Sequence, residues 1–233
     1  MKRAFLLIGF VIVVLCCTFA VAQNGNLEKV LTQMDAAAAN FKSAQADFVW
    51  DQYTKVVEEH DYQKGTIYFR RESKGVQMAA DINQHNGQPD NKYVLFSGSS
   101  VQVYQPTMGQ VTKYNVGKNK SEVESFLVLG FGGRGHDLLK SFDVKYAGSE
   151  RVDGIDTQKL ELTPKSASVR NNFNRIVLWI DPARGVSVQQ QLFSPSGDYR
   201  LAKYSNIKLN QNISADVFKL KTAPNTKVIS PQG

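Results

Sequence analysis

Two hydrophobic periods divide the chain. Between residues 26 and 42, apolar residues recur every three or four positions, and this spacing predicts an amphipathic helix. After residue 43 the period changes to two, in short segments separated by turn sequences such as those at 153–154 and 181–185. We count about eleven alternating segments, a number typical of a long meander of antiparallel strands.

One stretch in the middle of this meander is helical. Residues 118–142, "KNKSEVESFLVLGFGGRGHDLLKSF", place Val123, Phe126, Leu127 and Phe131 on one side. Long alternating strands joined by hairpins favour a curled sheet, and two helical pieces are enough only to cover one side of it. The predicted fold is mainly β with helices (α+β), an incomplete antiparallel barrel with a helical lid at 118–142. Residues 23–233 are expected to form a single domain.

The first 22 residues have the pattern of a secretory signal peptide. Lys2 and Arg3 precede a long apolar run that ends in Ala20-Val21-Ala22, a small-x-small cleavage site. Cleavage there would deliver the product to the periplasm and would remove Cys16 and Cys17. An uncleaved anchor and a lipoprotein signal are the alternatives, and Leu15 is bulky where the lipoprotein signal needs a small residue.

A glycine pattern in the lid has the spacing of a dinucleotide-binding loop. Gly130, Gly132 and Gly135 match Gly-x-Gly-x-x-Gly, but that loop must follow a strand, and here a predicted helix precedes it. We therefore interpret the glycines as a joint between two lid helices.

Other candidates for chemistry are weak. His60, His85 and His136 lie too far apart for metal-ligand spacing and are expected at the surface. No Gly-x-Ser-x-Gly elbow occurs, and the paired carboxylates are expected in turns. The basic residues are scattered rather than clustered, which argues against nucleic acid. We expect no enzyme, no cofactor and no metal.

Arg71 stands out in the strand "GTIYFRR". Alternation places it on the same side as Ile67 and Phe69, the apolar side. A guanidinium stays charged, so it must find acceptors, and the unpaired carbonyls at the end of a lid helix would serve. The alternative is a strand-end arginine that simply reaches water. Periodicity by itself does not distinguish a filled interior from a ligand cavity.

Several segments, in order, resemble the LolA family, the periplasmic carriers of outer-membrane lipoproteins. They are "KSAQADFVWDQY", "GTIYFRR", "SGSSVQVYQPTMGQVTKY" and "KYSNIKLNQNISADVFKLKTAPNTKVI". The resemblance spans about two hundred residues, essentially the whole chain after the leader.

The resemblance implies an incomplete barrel closed by helices, with a hydrophobic cavity for acyl chains. It also implies that Arg71 hydrogen-bonds the backbone of the lid in the closed form. The implied partners are acylated lipoproteins, an inner-membrane ABC lipoprotein-releasing transporter and an outer-membrane lipoprotein receptor, and the carrier is expected to be a monomer. The residues expected to line the cavity are Phe48, Trp50, Ile67, Phe69, Met78, Val101, Val103 and Trp179.

Two other functions fit the same pattern. One is a sensor of this fold, an RseB-like stress sensor that binds stray lipoprotein and signals through a partner. The other is a carrier of a different amphiphile, such as a glycolipid. The cargo class separates these interpretations.

Overall fold

Within the part of the chain that the structure describes, twelve strands form one sheet. The computed structural model describes residues 25–73, 75–117 and 129–231. The strands are Ser43–Thr54 (β1), Glu59–Glu72 (β2), Gly75–His85 (β3), Gln88–Ser97 (β4), Ser100–Gln105 (β5), Gln110–Asn115 (β6), Phe142–Val152 (β7), Ile155–Pro164 (β8), Arg175–Asp181 (β9), Val186–Phe193 (β10), Tyr199–Leu209 (β11) and Lys227–Ile229 (β12).

The strand order makes the sheet an open, curled meander. It runs β12-β6-β5-β4-β3-β2-β1-β11-β10-β9-β8-β7, so β12 and β7 lie at opposite edges. Hairpins join β1 to β6 and β7 to β11, and the pairing of β1 with β11 joins these two halves. The predicted fold class, a mainly β incomplete barrel with helices, is confirmed.

The strand count differs from the prediction by one. The additional strand, β12, has three residues and pairs with β6 in parallel, with Val228 opposite Val111. A three-residue strand is too short to show an alternating pattern, and its partner is more than a hundred residues earlier in the chain. Sequence periodicity therefore missed it.

In the described residues, three helices accompany the sheet. They are residues 25–39 (α1), Gly135–Ser141 (α2) and Ala167–Arg170 (α3), with short 3-10 turns at Pro106–Met108 and Ala215–Phe218. None of the helices in the described part of the chain is long and apolar enough to cross a membrane.

The lid is helical only in part of its described length. Residues 129–132 form turns, and α2 begins at Gly135, so Phe131 lies in a turn and not on a helix. Val123, Phe126 and Leu127, the other residues predicted on the lid's apolar side, lie outside the described residues.

The two faces of the sheet are packed differently. We call the face that carries Phe48, Phe69 and Leu178 the inner face, and the opposite one the outer face. On the β7–β10 half of the inner face, α1 packs its apolar side, including Leu31 and Met34, against strand residues that are completely buried. This half is a conventional hydrophobic core.

Candidate functional site

The inner face of β1–β5 gathers seven of the eight residues predicted to line a cavity. Strand pairing sets Phe69 opposite Met78 and Val94 opposite Val103. The seven are Phe48, Ile67, Phe69 and Met78, which are buried, Trp50 and Val101, which are partly exposed and pack against them, and Val103, which the pairing places on the same face. The strands thus form a continuous apolar surface.

Trp179 does not belong to this surface, and its predicted place in the cavity is wrong. Leu178 and Ile180 belong to the inner-face core, whereas Trp179 packs with Val177 and Val188 on the outer face. Both faces of β9 are covered, so nearly every residue of the strand is apolar and buried. Alternation then shows which residues share a face but not which face is inner.

Phe131, from the lid, packs on the apolar surface of the inner face. Its ring stacks on Phe69, with the ring centroids 4.8 Å apart, and meets Tyr204 edge-on at 4.9 Å. It is 1% exposed, so it is as well buried as the residues of the sheet itself. The lid segment therefore contributes a side chain to the same cluster as the strands.

Two glycines of the lid allow the backbone to approach this closely. Gly130 and Gly132 both have positive φ angles, of 76° and 75°. A Cβ atom on Gly130 would collide with the side chain of Ser187, and one on Gly132 would collide with the ring of Phe41. These residues are glycine because the segment lies directly against β10 and the end of α1.

Hydrogen bonds from β10 fix the start of this segment. The amide of Ser187 donates to the carbonyl of Gly130 over 2.8 Å, and the side-chain amide of Gln190 donates to the carbonyl of Leu129. The carbonyl oxygen of Gln190 in turn accepts a hydrogen bond from the Tyr204 hydroxyl at 3.4 Å. Gln190 is buried, so these bonds are protected from water.

Arg71 connects the lid, α1 and the sheet. Its Nη2 atom donates to the carbonyl of Gly132 at 2.5 Å and lies 3.5 Å from the carbonyl of Ala38, in the last turn of α1. The guanidinium carbon lies 5.7 Å from the centre of the Phe41 ring. Arg71 is exposed to solvent, as the alternative of a strand-end arginine expected, yet its guanidinium also donates to backbone carbonyls of the covering segments.

His136 forms a second connection that the sequence interpretation did not identify. Its Nδ1 lies 2.6 Å from Asp35 and its Nε2 lies 3.1 Å from Glu28, both on α1. Hydrogen bonding to Asp35 raises the pKa of His136, against a smaller effect of desolvation. The spacing of Glu28 and Asp35, seven residues apart on one helix face, was the available signal for a docked cation.

The described residues contain no group of three or more histidine, cysteine, aspartate and glutamate side chains placed to hold a metal ion. The site combines the apolar inner face of β1–β5 with a cover that is hydrogen-bonded to Arg71 and Gln190.

Comparison with known sequences identifies the family. A profile described as "Outer membrane lipoprotein carrier protein LolA" matches residues 39–221. The chain belongs to the LolA family. This confirms the resemblance read from the sequence. No protein of curated function matches the sequence significantly.

Solved structures show the same LolA-like fold at low sequence identity. An uncharacterised conserved protein from Thermus thermophilus is 11% identical, with a TM-score of 0.55, covering 88% of this chain and 98% of that one. The Mycobacterium tuberculosis lipoprotein LppX is 13% identical, with a TM-score of 0.52 and coverage of 83% and 99%. MucB is 15% identical, with a TM-score of 0.51, and here the match covers 84% of this chain but 63% of MucB.

Proposed function

We propose that this protein is a periplasmic carrier that shields the acyl chains of lipoproteins between the inner face of β1–β5 and the lid. The observation that carries the proposal is the position of Phe131, a lid side chain that lies on an apolar sheet surface and is held there by Arg71. An acyl chain would take the place of Phe131 when the lid moves away. Family membership supports the same cargo class.

The free-energy cost of opening the lid is similar in size to the gain from burying part of an acyl chain. Exposing a buried phenylalanine costs about 1.5–3 kcal/mol, and losing a charged hydrogen bond costs about as much again. Burying hydrocarbon returns about 0.8 kcal/mol per CH₂, so roughly four to eight methylenes offset the opening. A triacylated cargo would therefore bind, but with an affinity reduced by the cost of opening, and could be passed on to a stronger receptor.

Extraction of bound lipid tests the cargo. The protein is purified under native conditions from a bacterial periplasm, and the organic extract is examined by mass spectrometry. Lipoprotein acyl chains in the extract would support the carrier. A glycolipid or another amphiphile would contradict the proposed cargo and favour the alternative carrier, and a lipid-free protein would contradict both.

Neighbouring residues of β5 offer a matched pair of variants. Val101 lies on the inner face and Gln102 on the outer face, and both are partly exposed. Val101→Asp should reduce binding of a triacylated lipopeptide at least tenfold, because a charge would then face the hydrocarbon. Gln102→Asp should leave binding unchanged. Equal affinities of the two variants, with both folded by circular dichroism, would contradict the site.

A further inference from the structure

A separate cavity lies on the outer face, on the side of the sheet away from the lid. It has a volume of about 510 Å³, lies between β2–β5 and the C-terminal segment 214–221, and is partly open to solvent. Ala79 and Leu95 form its floor, and the rings of Tyr68, Tyr93 and Tyr104 line it. This volume falls within the range of small-molecule sites, about 300–1,000 Å³.

The C-terminal segment is fixed, so the cavity is preformed. Phe218 is buried against Ala79 and Leu95, and the guanidinium carbon of Arg70 lies 4.4 Å from the centre of the Phe218 ring. Farther along, the amide of Ala223 donates to the Tyr104 hydroxyl at 3.3 Å. A ligand would therefore meet walls that are already in place, which reduces the entropic cost of binding.

Asp81 is the unusual residue of this cavity. It lies in β3 between Thr66 and Tyr93 of the neighbouring strands, and it is half-buried. Its carboxylate has no hydrogen-bond or ion-pair partner within residues 25–73, 75–117 and 129–231. Burial raises its pKa, and no cation in that part of the chain offsets the effect.

A neighbouring aspartate, in contrast to Asp81, has hydrogen-bond partners within the protein. Asp47, also on the outer face, accepts hydrogen bonds from Thr66 at 3.3 Å and from Asn206 at 2.8 Å. Lys219 and Lys221 also line the cavity, but they pair with Asp216, another lining residue, at 3.1 and 3.7 Å and not with Asp81. The Asp81 carboxylate lines the cavity and is not engaged by a protein partner among the described residues, so it is free to bind a ligand there.

The lining defines the ligand that would complete the site. The carboxylate requires a positive charge, and tyrosine ring faces attract cations, most strongly where water is excluded. The rings of Tyr93 and Tyr104 lie stacked with centroids 6.0 Å apart, next to Asp81. An alanine and leucine floor favours a weakly hydrated cation with an apolar body over a metal ion or free ammonium.

We propose that this outer-face cavity binds a small organic ammonium ion with an apolar body, such as an alkyltrimethylammonium group, through Asp81 and the tyrosine rings. The site is independent of the inner face, and its occupation does not rest on the carrier function.

Calorimetric titration with hexyltrimethylammonium tests the site on the full chain. The wild-type protein should bind it saturably, whereas Asp81→Asn should bind at least tenfold more weakly, because the amide lacks the charge. Asp47→Asn is the matched control and should bind as the wild type does. A neutral alcohol of the same shape should bind neither protein well. Equal binding by wild type and Asp81→Asn, or no saturable binding at millimolar concentration, would overturn the proposal.

The folding of Asp81→Asn supplies a second readout. Because the carboxylate has a raised pKa and no partner, its charged form weakens the folded state as pH rises through that pKa. Asp81→Asn should therefore melt at the same temperature as the wild type, or higher, at pH 7. A clearly lower melting temperature would reveal a structural partner for the carboxylate and would count against the site.

The source of the ammonium group is decided by comparing two ligands. Hexyltrimethylammonium represents a free organic cation, and a soluble short-chain phosphocholine represents a lipid headgroup. If the wild type binds one of the two ligands more tightly and Asp81→Asn loses that binding, the result supports the ammonium site and identifies the source of the ammonium group. Lipopeptide affinity at the inner face should not change in Asp81→Asn, so failure here is distinguishable from failure of the carrier proposal.

Discussion

Two adjacent arginines show how a single residue acquires its role from the face it occupies. Arg71 lies at the inner-face end of β2 and donates to the carbonyl of Gly132. Arg70 points to the outer face, where it donates to Gln77 at 2.7 Å and lies over Phe218. The two side chains are chemically identical, so substituting each in turn separates the effect of the lid contact from the effect of losing a charge.

Arg71→Leu should favour the open lid. Removing a charged hydrogen bond costs about 1.5–3 kcal/mol, which corresponds to a shift of the lid equilibrium by roughly tenfold to a hundredfold. The variant should bind lipopeptide more tightly and release it to acceptor membranes at least tenfold more slowly, as measured with a fluorescent lipopeptide. Arg70→Leu should transfer cargo like the wild type. Normal transfer by Arg71→Leu would contradict the role of Arg71.

At the scale of elements, the described part of the lid is held at three places along its length. Its start is hydrogen-bonded to β10, its middle to Arg71, and α2 to α1 through His136. The last connection is ionic and therefore depends on pH. The charged groups around it are Asp35, Glu28 and Arg134, which lies 3.9 Å from Asp35.

The contribution of His136 should disappear at high pH. Its pKa is raised by hydrogen bonding to Asp35, so its stabilisation is complete below the unfolded value of about 6.5 and is lost as pH rises through the native pKa. Burial raises the pKa of Asp35, but hydrogen bonds from His136 outweigh this and lower it, so the contribution of Asp35 is lost in acid.

The measurement is urea unfolding of the wild type and of His136→Gln across pH 5–9. At pH 5.5 the wild type should have a larger free energy of unfolding than His136→Gln, and this difference should shrink toward pH 9. His60, which is hydrogen-bonded to Asp51 and lies away from the lid, gives the control variant His60→Gln. A difference that stays constant from pH 5 to pH 9 would show that protonation of His136 does not hold α2 to α1.

At the scale of the whole molecule, the inner face has two unequal halves. Around α1 the strand residues, such as Leu160 and Leu178, have no exposed surface. Across β1–β5 several apolar residues remain partly exposed, among them Trp50 and Val101. We infer that the half packed by α1 provides stability, and that the β1–β5 half provides an apolar surface that can be uncovered.

Two substitutions test this division. Leu178→Ala should lower the free energy of unfolding by about 2–5 kcal/mol, because it leaves a cavity in a sealed core, while lipopeptide affinity stays within about twofold of the wild type when the protein is folded. Trp50→Ala should have the reverse pattern, with a smaller stability loss and an affinity reduced several-fold. Denaturation and binding curves on both variants measure this, and equal effects on affinity would contradict the division.

Much of the fold was predictable because its signals are local. Alternation gave the strands from β1 to β11, and the three- and four-residue spacing gave α1. The placement of Ile67 and Phe69 on one face of β2 followed from period two alone, whereas their alignment with Phe48 depends on the pairing of β1 with β2. The failures involve pairing over distance: β12 needed β6 as its partner, and Trp179 lies in a strand whose two faces are equally apolar.

The sequence by itself determined the period of every long strand, the shared face of Arg71 with Ile67 and Phe69, and membership of the LolA family, because these depend on the order of residues along one chain. Only the tertiary structure decided which acceptors Arg71 reaches, that His136 binds α1, and that Asp81 lies in a cavity without a partner among the described residues. Each of these depends on which distant segments the curled sheet brings together. The spacing of residues can suggest that a cation docks, as on α1, but it does not identify the distant residue that does so.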